Sequence, residues 1–578
     1  MDYIRRLSLI FAGLSIFFAI LDLGFDHPVY VDRLLHFFYL TTLLTGIVSI
    51  ATKYVGRTSW PSRKVWIFDL LMVMLILWLF AGLAFSGFPE KFHIPGHPDY
   101  WITFLILALL IRELSLVRWQ IRRTSINPAQ LFIGSFLLLI VMGALLLMLP
   151  RATYEGMSFL DALFTSTSAV CVTGLIVVDT ATYFTPFGQG IILLLIQIGG
   201  LGILTFASYF SFFFRGISSF ENQLTISDIL SAEKVGEVFS VLRYILVITF
   251  SIEAISAALI FFSVDTAAFT SWYDKFFFSV FHSVSAFCNA GFSTLSNGLY
   301  DEGLRFNYFL QFVIILTFGL GGLGFPIVAN LAGFVWYNFL RLVASEPKNK
   351  RYRPWLLNLN SRITLITTLS LTIVGTIFMY LVEYHNTLAD HRGIGKVVVA
   401  LFEAATPRTA GFNNIDLTEL RVPALLMTFF LMWIGASPVS TGGGIKTSTF
   451  AIALLNVVSV ARGMPRMEVF RRQISENTVR RAFAVIALSL LVIGTGITLL
   501  TIFEGDKSLM GLAFECFSAY STVGLSLGMT GSLSEPGKVV VIVLMFVGRV
   551  SMLSLLIAFF RKARFKSYRY PTEEITIN

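Results

Sequence analysis

Apolar stretches recur along the whole chain, separated by short polar breaks, near 7–24, 33–51, 65–87, 100–119, 129–149, 187–213, 239–262, 307–339, 362–383, 422–458, 480–503 and 538–560. A helix needs about 20 mostly apolar residues to cross roughly 30 Å of hydrocarbon, so this pattern predicts about twelve membrane spans. The 422–458 stretch is too long for one plain span, and SPVSTGGG (437–444) interrupts it with residues that no regular helix favours.

Four shorter segments lie between spans: LFTSTSAVCVTGL (163–175), VFHSVSAFCNAGF (280–292), ALFEAATPRTAGF (400–412) and AFECFSAYSTVGL (513–525). Each carries one glycine followed by an apolar residue. Aligning them brings Gly174, Gly291, Gly411 and Gly524 into register, at separations of 117, 120 and 113 residues. So regular a period signals internal duplication, and repeats in membrane proteins often place a binding site on the axis that relates the copies. A segment too short to span, ending in an extended glycine strand, has the form of a re-entrant loop. Four such loops around an axis can bury their backbones against one another and turn carbonyl oxygens toward a water-filled path, where they replace the hydration shell of a bare cation. Glycine permits the backbone angles this requires.

Composition narrows the class. Hydrophobic residues make up 56% and charged residues only 13% of the 578 positions, half the charged share of a soluble domain, which excludes a soluble enzyme. The net charge of +9 is mostly topology: with the N-terminus inside, 30 of the 43 lysines and arginines fall on alternate, inner segments and 11 on outer ones, leaving Lys446 and Arg549 within the membrane. Both termini are therefore expected in the cytoplasm, and the basic tail (561–570) is expected to anchor at the bilayer surface, with no nucleic-acid partner. Three cysteines without CxxC spacing support neither disulfides nor zinc, and their simplest role is as small buried side chains. Arg5 and Arg6 before an apolar run imitate a signal peptide, but no small-residue cleavage site follows, so the run is expected to stay as the first helix.

Two motifs mislead. GLGGLG (319–324) satisfies a dinucleotide fingerprint but lies within an apolar span, where close helix packing accounts for it; TGGGIKTS (441–448) departs from a phosphate loop by Ile445. The seven histidines form no recognisable catalytic set, so no enzyme activity is expected.

The four glycine strands, QIGGLG (197–202), FGLGGLGFP (318–326), SPVSTGGGIKTSTF (437–450) and GRVSMLSLL (548–556) together resemble the Trk/Ktr/HKT superfamily of potassium transporters over residues 128–561. RTAGFNNID (408–416) and TVGLSLGMTG (522–531) are similar to the Ktr-type membrane subunit. The resemblance implies a potassium filter of backbone carbonyls from Val172, Thr173 and Gly174; Asn289, Ala290 and Gly291; Thr409, Ala410 and Gly411; and Thr522, Val523 and Gly524. It implies a gate at Gly442, Gly443, Gly444 and Lys446, with Arg549 contributing an electrostatic barrier. It also implies a homodimer docked on a separate cytosolic nucleotide-binding ring through the basic segments 341–362 and 462–481 and the tail, with K+ as transported ion, Na+ as a second candidate, and no cofactor in this chain. One glycine per loop, where dedicated potassium channels have two, implies incomplete discrimination over sodium. The alternatives are a less selective monovalent cation channel and a sodium-coupled carrier of another solute. Cys171, Cys288 and Arg408 occupy one aligned place, three before the glycine, and Val439 stands where a small residue is expected. Glu253, inside a span, is expected to pair with a neighbouring helix.

Four spans precede the resemblance. The fourth carries Arg112, Arg118, Arg122 and Arg123, and the third carries Asp69. At 1.5 Å per residue from Tyr100, Arg112 falls about 18 Å deep and Arg118 about 27 Å, near the depth of Asp69, which suggests an Asp69–Arg118 pair. The arrangement loosely resembles a voltage-sensor domain, but the arginine spacing is irregular, and an anchoring or assembly domain with snorkelling arginines is the favoured reading. The chain is thus expected to be an all-α multi-pass protein of the cell or inner membrane: an N-terminal four-helix domain (1–125), then four span–pore helix–span repeats around one central pore (126–225, 226–345, 346–470 and 471–578), the last with the basic tail.

Overall fold

The first four helices, α1 (Asp2–Gly24), α2 (Val29–Tyr54), α3 (Arg63–Phe85) and α4 (Tyr100–Leu116), form a bundle around a core of their own, in which Ala12, Tyr39, Leu43, Met72, Ile76, Ile106 and Leu109 are buried. Its outer surface stays apolar, with Leu77, Trp78 and Leu107 exposed, as suits a face against lipid. The computed structural model describes residues 2–54, 63–85, 100–116, 128–201, 238–265, 269, 271–343, 357–464 and 466–559. The basic tail, most of 341–362, and Arg118, Arg122 and Arg123 lie outside them.

Four repeats follow. The first has α5 (Pro128–Leu147), α6 (Phe159–Val170) and α7 (Pro186–Gly200); the second has α8 (Val238–Ser263), α9 (Trp272–Cys288), α10 (Tyr308–Leu323) and α11 (Phe325–Val343). The third has α12 (Leu359–Glu383), α13 (Ile394–Ala405), α14 (Val422–Trp433) and α15 (Thr447–Ala461); the fourth has α16 (Glu476–Phe503), α17 (Leu509–Ser521), α18 (Glu535–Val550) and α19 (Met552–Phe559). The short helices α6, α9, α13 and α17 are the pore helices. Three begin at a serine, Ser158, Ser271 or Ser508, whose hydroxyl accepts a backbone N–H of the first turn and fixes where the helix starts.

The predicted spans need one correction. Among the described residues, five helical stretches are long and apolar enough to cross a membrane: 6–24, 30–54, 245–263, 359–383 and 476–503. The second helix of the repeats is not a plain span. The 307–339 stretch bends by 111° where α10 meets α11, and the last stretch breaks at Ser551, whose φ is 72°. The break at 437–444 was read from its run of helix-breaking residues, whereas FGLGGLGFP (318–326) was read as close helix packing. The other breaks lie where this helix docks on the pore loop: a Cβ at Gly199, Gly321 or Gly548 would collide with the carbonyl of Val170, Phe287 or Tyr520, each four residues before the glycine of its strand.

The bundle is pinned internally by buried charge. Asp69 accepts Nε of Arg112 at 2.9 Å, Nζ of Lys53 at 2.6 Å and the Tyr54 hydroxyl at 2.6 Å. Glu113 accepts from Arg112 at 2.5 Å and from Ser49 at 2.7 Å. Where the sequence suggested Arg118, the described cations on Asp69 are Arg112 and Lys53. The bundle meets the first repeat where Gly24 packs on Leu149 and Arg151 lies 3.4 Å from Asp26.

Candidate ion-conduction site

The glycine strands share one backbone geometry. Two residues before each glycine, Val172, Asn289, Thr409 and Thr522 take φ of 56°, 60°, 74° and 50°, and Gly174, Gly291, Gly411 and Gly524 take φ of 93°, 70°, 77° and 95°. The left-handed turn after each pore helix sends its backbone N–H groups back toward that helix. Thr173 N donates to Ser168 O at 2.8 Å, Ala290 N to Ser285 O at 2.7 Å, Ala410 N to Thr406 O at 2.9 Å and Val523 N to Ser518 O at 2.9 Å. Ser168 and Ser518 hydroxyls also accept the N–H of Gly174 and Gly524, at 3.0 and 3.1 Å. With their N–H groups engaged behind them, the strands keep their carbonyls for the other side. Among the described residues, no hydrogen bond ends on a carbonyl of positions 172–174, 289–291, 409–411 or 522–524.

The four strands close into a ring. A Cβ at Gly174 would strike Ala290 O, one at Gly291 would approach Ala410 O at 3.0 Å and Gly411 Cα at 2.9 Å, one at Gly411 would strike Val523 O, and one at Gly524 would strike Thr173 O. The order is one to two to three to four and back to one, so the four glycines surround a single axis at contact distance. On one side of the ring all four glycines line a cavity of about 580 Å³, whose wall also carries Asp179 and Asp416. Two carboxylates at the mouth of a low-dielectric cleft favour cations there.

On the opposite side lies the broken helix of the third repeat. Residues 434–446 form a loop whose ends are joined by a parallel bridge between Ile434 and Ile445. Thr441 Oγ1 is 2.9 Å from the Asn289 side-chain amide, Gly443 N donates to Thr522 Oγ1 at 2.9 Å, and a Cβ at Gly442 would strike Thr409 Oγ1. The loop thus rests on the left-handed residues of three strands, directly beneath the ring. Gly444 takes φ of 66° here, as does Val439 at 57°, a region that a β-branched side chain resists. Arg549, at the end of α18, donates to the carbonyls of Thr441 and, at 2.6 Å, Gly199, so it ties the loop to the first and fourth repeats. Lys446 Nζ donates to Gly442 O at 2.6 Å.

Other singled-out groups lie behind the ring. Cys171 and Cys288 are buried free thiols. Glu253 accepts from Gln197 at 3.0 Å, with the Cys288 thiol at 3.9 Å. Arg408 reaches Thr368, Thr372 and Thr447 at 3.3–3.4 Å. Sequence reasoning missed the hydroxyl braces Ser168, Ser285, Thr406 and Ser518. Their signal was available, since the aligned copies carry a serine six residues before the glycine, or a threonine five before it in the third. It also missed the outer braces, His282 to Ser293 at 2.9 Å and Glu515 to Ser526 at 2.5 Å. Replacing Ser518 by alanine leaves Gly524 N without its acceptor, a loss of about 1 kcal/mol that loosens one strand. The expected result is a modest fall in thermal stability with a measurable rise in sodium leak; unchanged sodium flux would show that the hydroxyl does not set the strand.

Pore helices, a ring of four glycine strands and a loop closing one side define the class: an all-α membrane transporter with four pseudo-symmetric repeats around one pore. The chain belongs to the TrkH family of cation transport proteins, which matches residues 98–568. It is 35% identical over 471 residues to Ktr system potassium uptake protein B of Bacillus subtilis, covering 81% of this chain and 99% of that protein. It is 34% identical over 464 residues to potassium/sodium uptake protein NtpJ of Enterococcus hirae, covering 79% of this chain and 98% of that one. The crystal structure of the potassium transporter TrkH from Vibrio parahaemolyticus superposes with a TM-score of 0.60 over 86% of this chain and 96% of its own, at 17% identity, a likeness of fold. The relatives are transporters, and the chain is a membrane transporter, not an enzyme.

Proposed function

We propose that the chain takes up potassium ions across the cell membrane through the ring of filter carbonyls, with K+ as its main cargo and Na+ as the weaker one. The observation that carries this reading is the closed ring: four equivalent strands with their N–H groups engaged behind them leave carbonyl oxygens for a dehydrated cation. The names of the B. subtilis and E. hirae relatives, which specify potassium and potassium/sodium, support the choice of ion. A solute carrier has no use for such a ring, which weighs against the sodium-coupled alternative. The test is growth of cells lacking their own potassium systems at low potassium: the chain should restore it, and failure of well-expressed protein to do so would count against the reading.

In this proposal the loop at 437–446, with Gly442, Gly443, Gly444 and Lys446, is the gate, and Arg549 is its clamp. Removing two charge-assisted hydrogen bonds frees the loop. Arg549→Gln should raise potassium flux in liposomes at least about tenfold, since the loss of even one such bond, worth roughly 1.5–3 kcal/mol, corresponds to a factor of about ten or more; flux equal to that of the parent would remove Arg549 from gating.

Both termini are assigned to the cytoplasm on the charge bias. The protein is taken to dimerise and to dock a separate nucleotide-binding ring on its basic inner surface. A hairpin, Glu468–Val469 with Arg472–Gln473, suits that role, since Arg471 and Arg472 are exposed beside Phe470. The N-terminal bundle is assigned to anchoring or assembly, because Arg112 is bound to two carboxylates at once.

A further inference from the structure

Two carbonyls of the loop, those of Thr441 and Gly442, lie directly beneath the filter, and each receives a cation that belongs to the chain itself. Arg549 donates to Thr441 O, and Lys446 reaches back across four residues so that its ammonium meets Gly442 O at 2.6 Å. The lysine is partly buried, and among the described residues no carboxylate lies in salt-bridge contact with it. Its neighbours on the loop are held against Asn289, Thr409 and Thr522, at the level where an ion leaves the last filter carbonyls. An ammonium is a compact charge on a flexible stem. It satisfies a carbonyl of this kind in the manner of a monovalent cation, without being able to diffuse away.

We propose that the Thr441 and Gly442 carbonyls form a monovalent-cation site at the exit of the filter, and that Lys446 is its tethered occupant in the closed conformation. This rests on the filter reading above and adds to it the means by which the ion opens its own exit. A potassium ion arriving at Gly442 O displaces the ammonium. The lysine then swings off the axis, and the loop loses one of its own cross-ties at the moment an ion is present. Potassium on the loop side of the membrane competes for the same carbonyl, so it should speed flux entering from the cavity side until the site is filled.

The test is rubidium flux into liposomes that hold the full-length protein, measured at several potassium concentrations on the loop side. The parent protein should be activated by potassium there. Lys446→Met should give flux about tenfold higher, the change expected when one charged hydrogen bond is lost, and no further activation by potassium. A merely structural lysine would change the amount of active protein and leave that activation in place, which would overturn the proposal. Lys446→Cys gives a second route if the methionine variant is inactive. The three native cysteines are buried, so 2-aminoethylation of the new thiol rebuilds an ammonium of nearly the same length. Restored activation by potassium supports the tethered cation, and identical behaviour before and after aminoethylation contradicts it. The two readings fail separately: absence of potassium preference in the parent defeats the filter, whereas a preference that persists without any effect at Lys446 defeats only the exit site.

Discussion

Gly411→Ser should abolish most of the preference for potassium over sodium while leaving the protein folded. Gly411 sits at φ 77°, where a residue with a Cβ pays about 1–2 kcal/mol, and its new Cβ would run into the carbonyl oxygen of Val523 in the next strand. That oxygen has to turn or retreat, so the proposed filter loses one ligand and the ring gains width at the same level. Because each strand packs on the next, the disturbance is not confined to the third repeat: Gly291 lies against Gly411 on the other side. Strain of this size in a ring whose discrimination depends on carbonyl placement corresponds to about a tenfold fall in the potassium-to-sodium flux ratio. Full retention of the ratio in the variant would mean that the carbonyls at Gly411 are not ligands.

The largest effect on stability is expected far from the pore, at Asp69→Asn. Asp69 and Glu113 balance Lys53 and Arg112 in a cluster whose side chains are all at most 8% exposed. Neutralising Asp69 leaves one buried cation without a partner charge, and breaking a buried pair in this way costs about 3–5 kcal/mol. The thermal unfolding midpoint of the purified variant in detergent should fall clearly below that of the parent. The double variant Lys53→Met with Asp69→Asn removes the excess charge and leaves Arg112 on Glu113, so it should recover much of the loss. An unchanged midpoint in the single variant would show that the cluster is not what holds the bundle. A charge-balanced cluster also bears on voltage: Arg112 has to leave two carboxylates before it can move through the field. Flux whose voltage dependence is unaffected by neutralising Arg112 is the expected outcome for an anchoring domain.

The four glycine strands and their common backbone form were legible in the sequence because they depend on local chemistry. A glycine after a short apolar helix marks a backbone that no other residue adopts cheaply, and four such glycines at nearly equal spacing mark a ring. The breaks at Gly324 and Ser551 were not read from the sequence, although glycines and Pro326 flank the first. Hydropathy runs through both without interruption, and the cause is the docking of Gly321 and Gly548 on pore-loop carbonyls brought together only by folding. Arg118, suggested as the partner of Asp69, lies outside the described residues, and the described partners were missed for a related reason. Depth counted from Tyr100 at a constant rise pointed to Arg118, and did not point to Arg112, six residues or about 9 Å of helix earlier, which binds Asp69. Periodicity within an element survives translation into structure, but the offset between elements is set by packing. The contact of Thr441 and Gly443 with Asn289 and Thr522 is of the same kind, since nothing in 437–444 names the strands on which it rests.

The account stands most directly on the ion itself, and parallel flux of potassium, rubidium and sodium from purified full-length protein in liposomes tests it. A four-strand carbonyl ring predicts potassium and rubidium fluxes that are similar to each other and well above that of sodium, with no other solute required. Equal fluxes for all three ions, or potassium movement that appears only when a second solute is supplied, would contradict it.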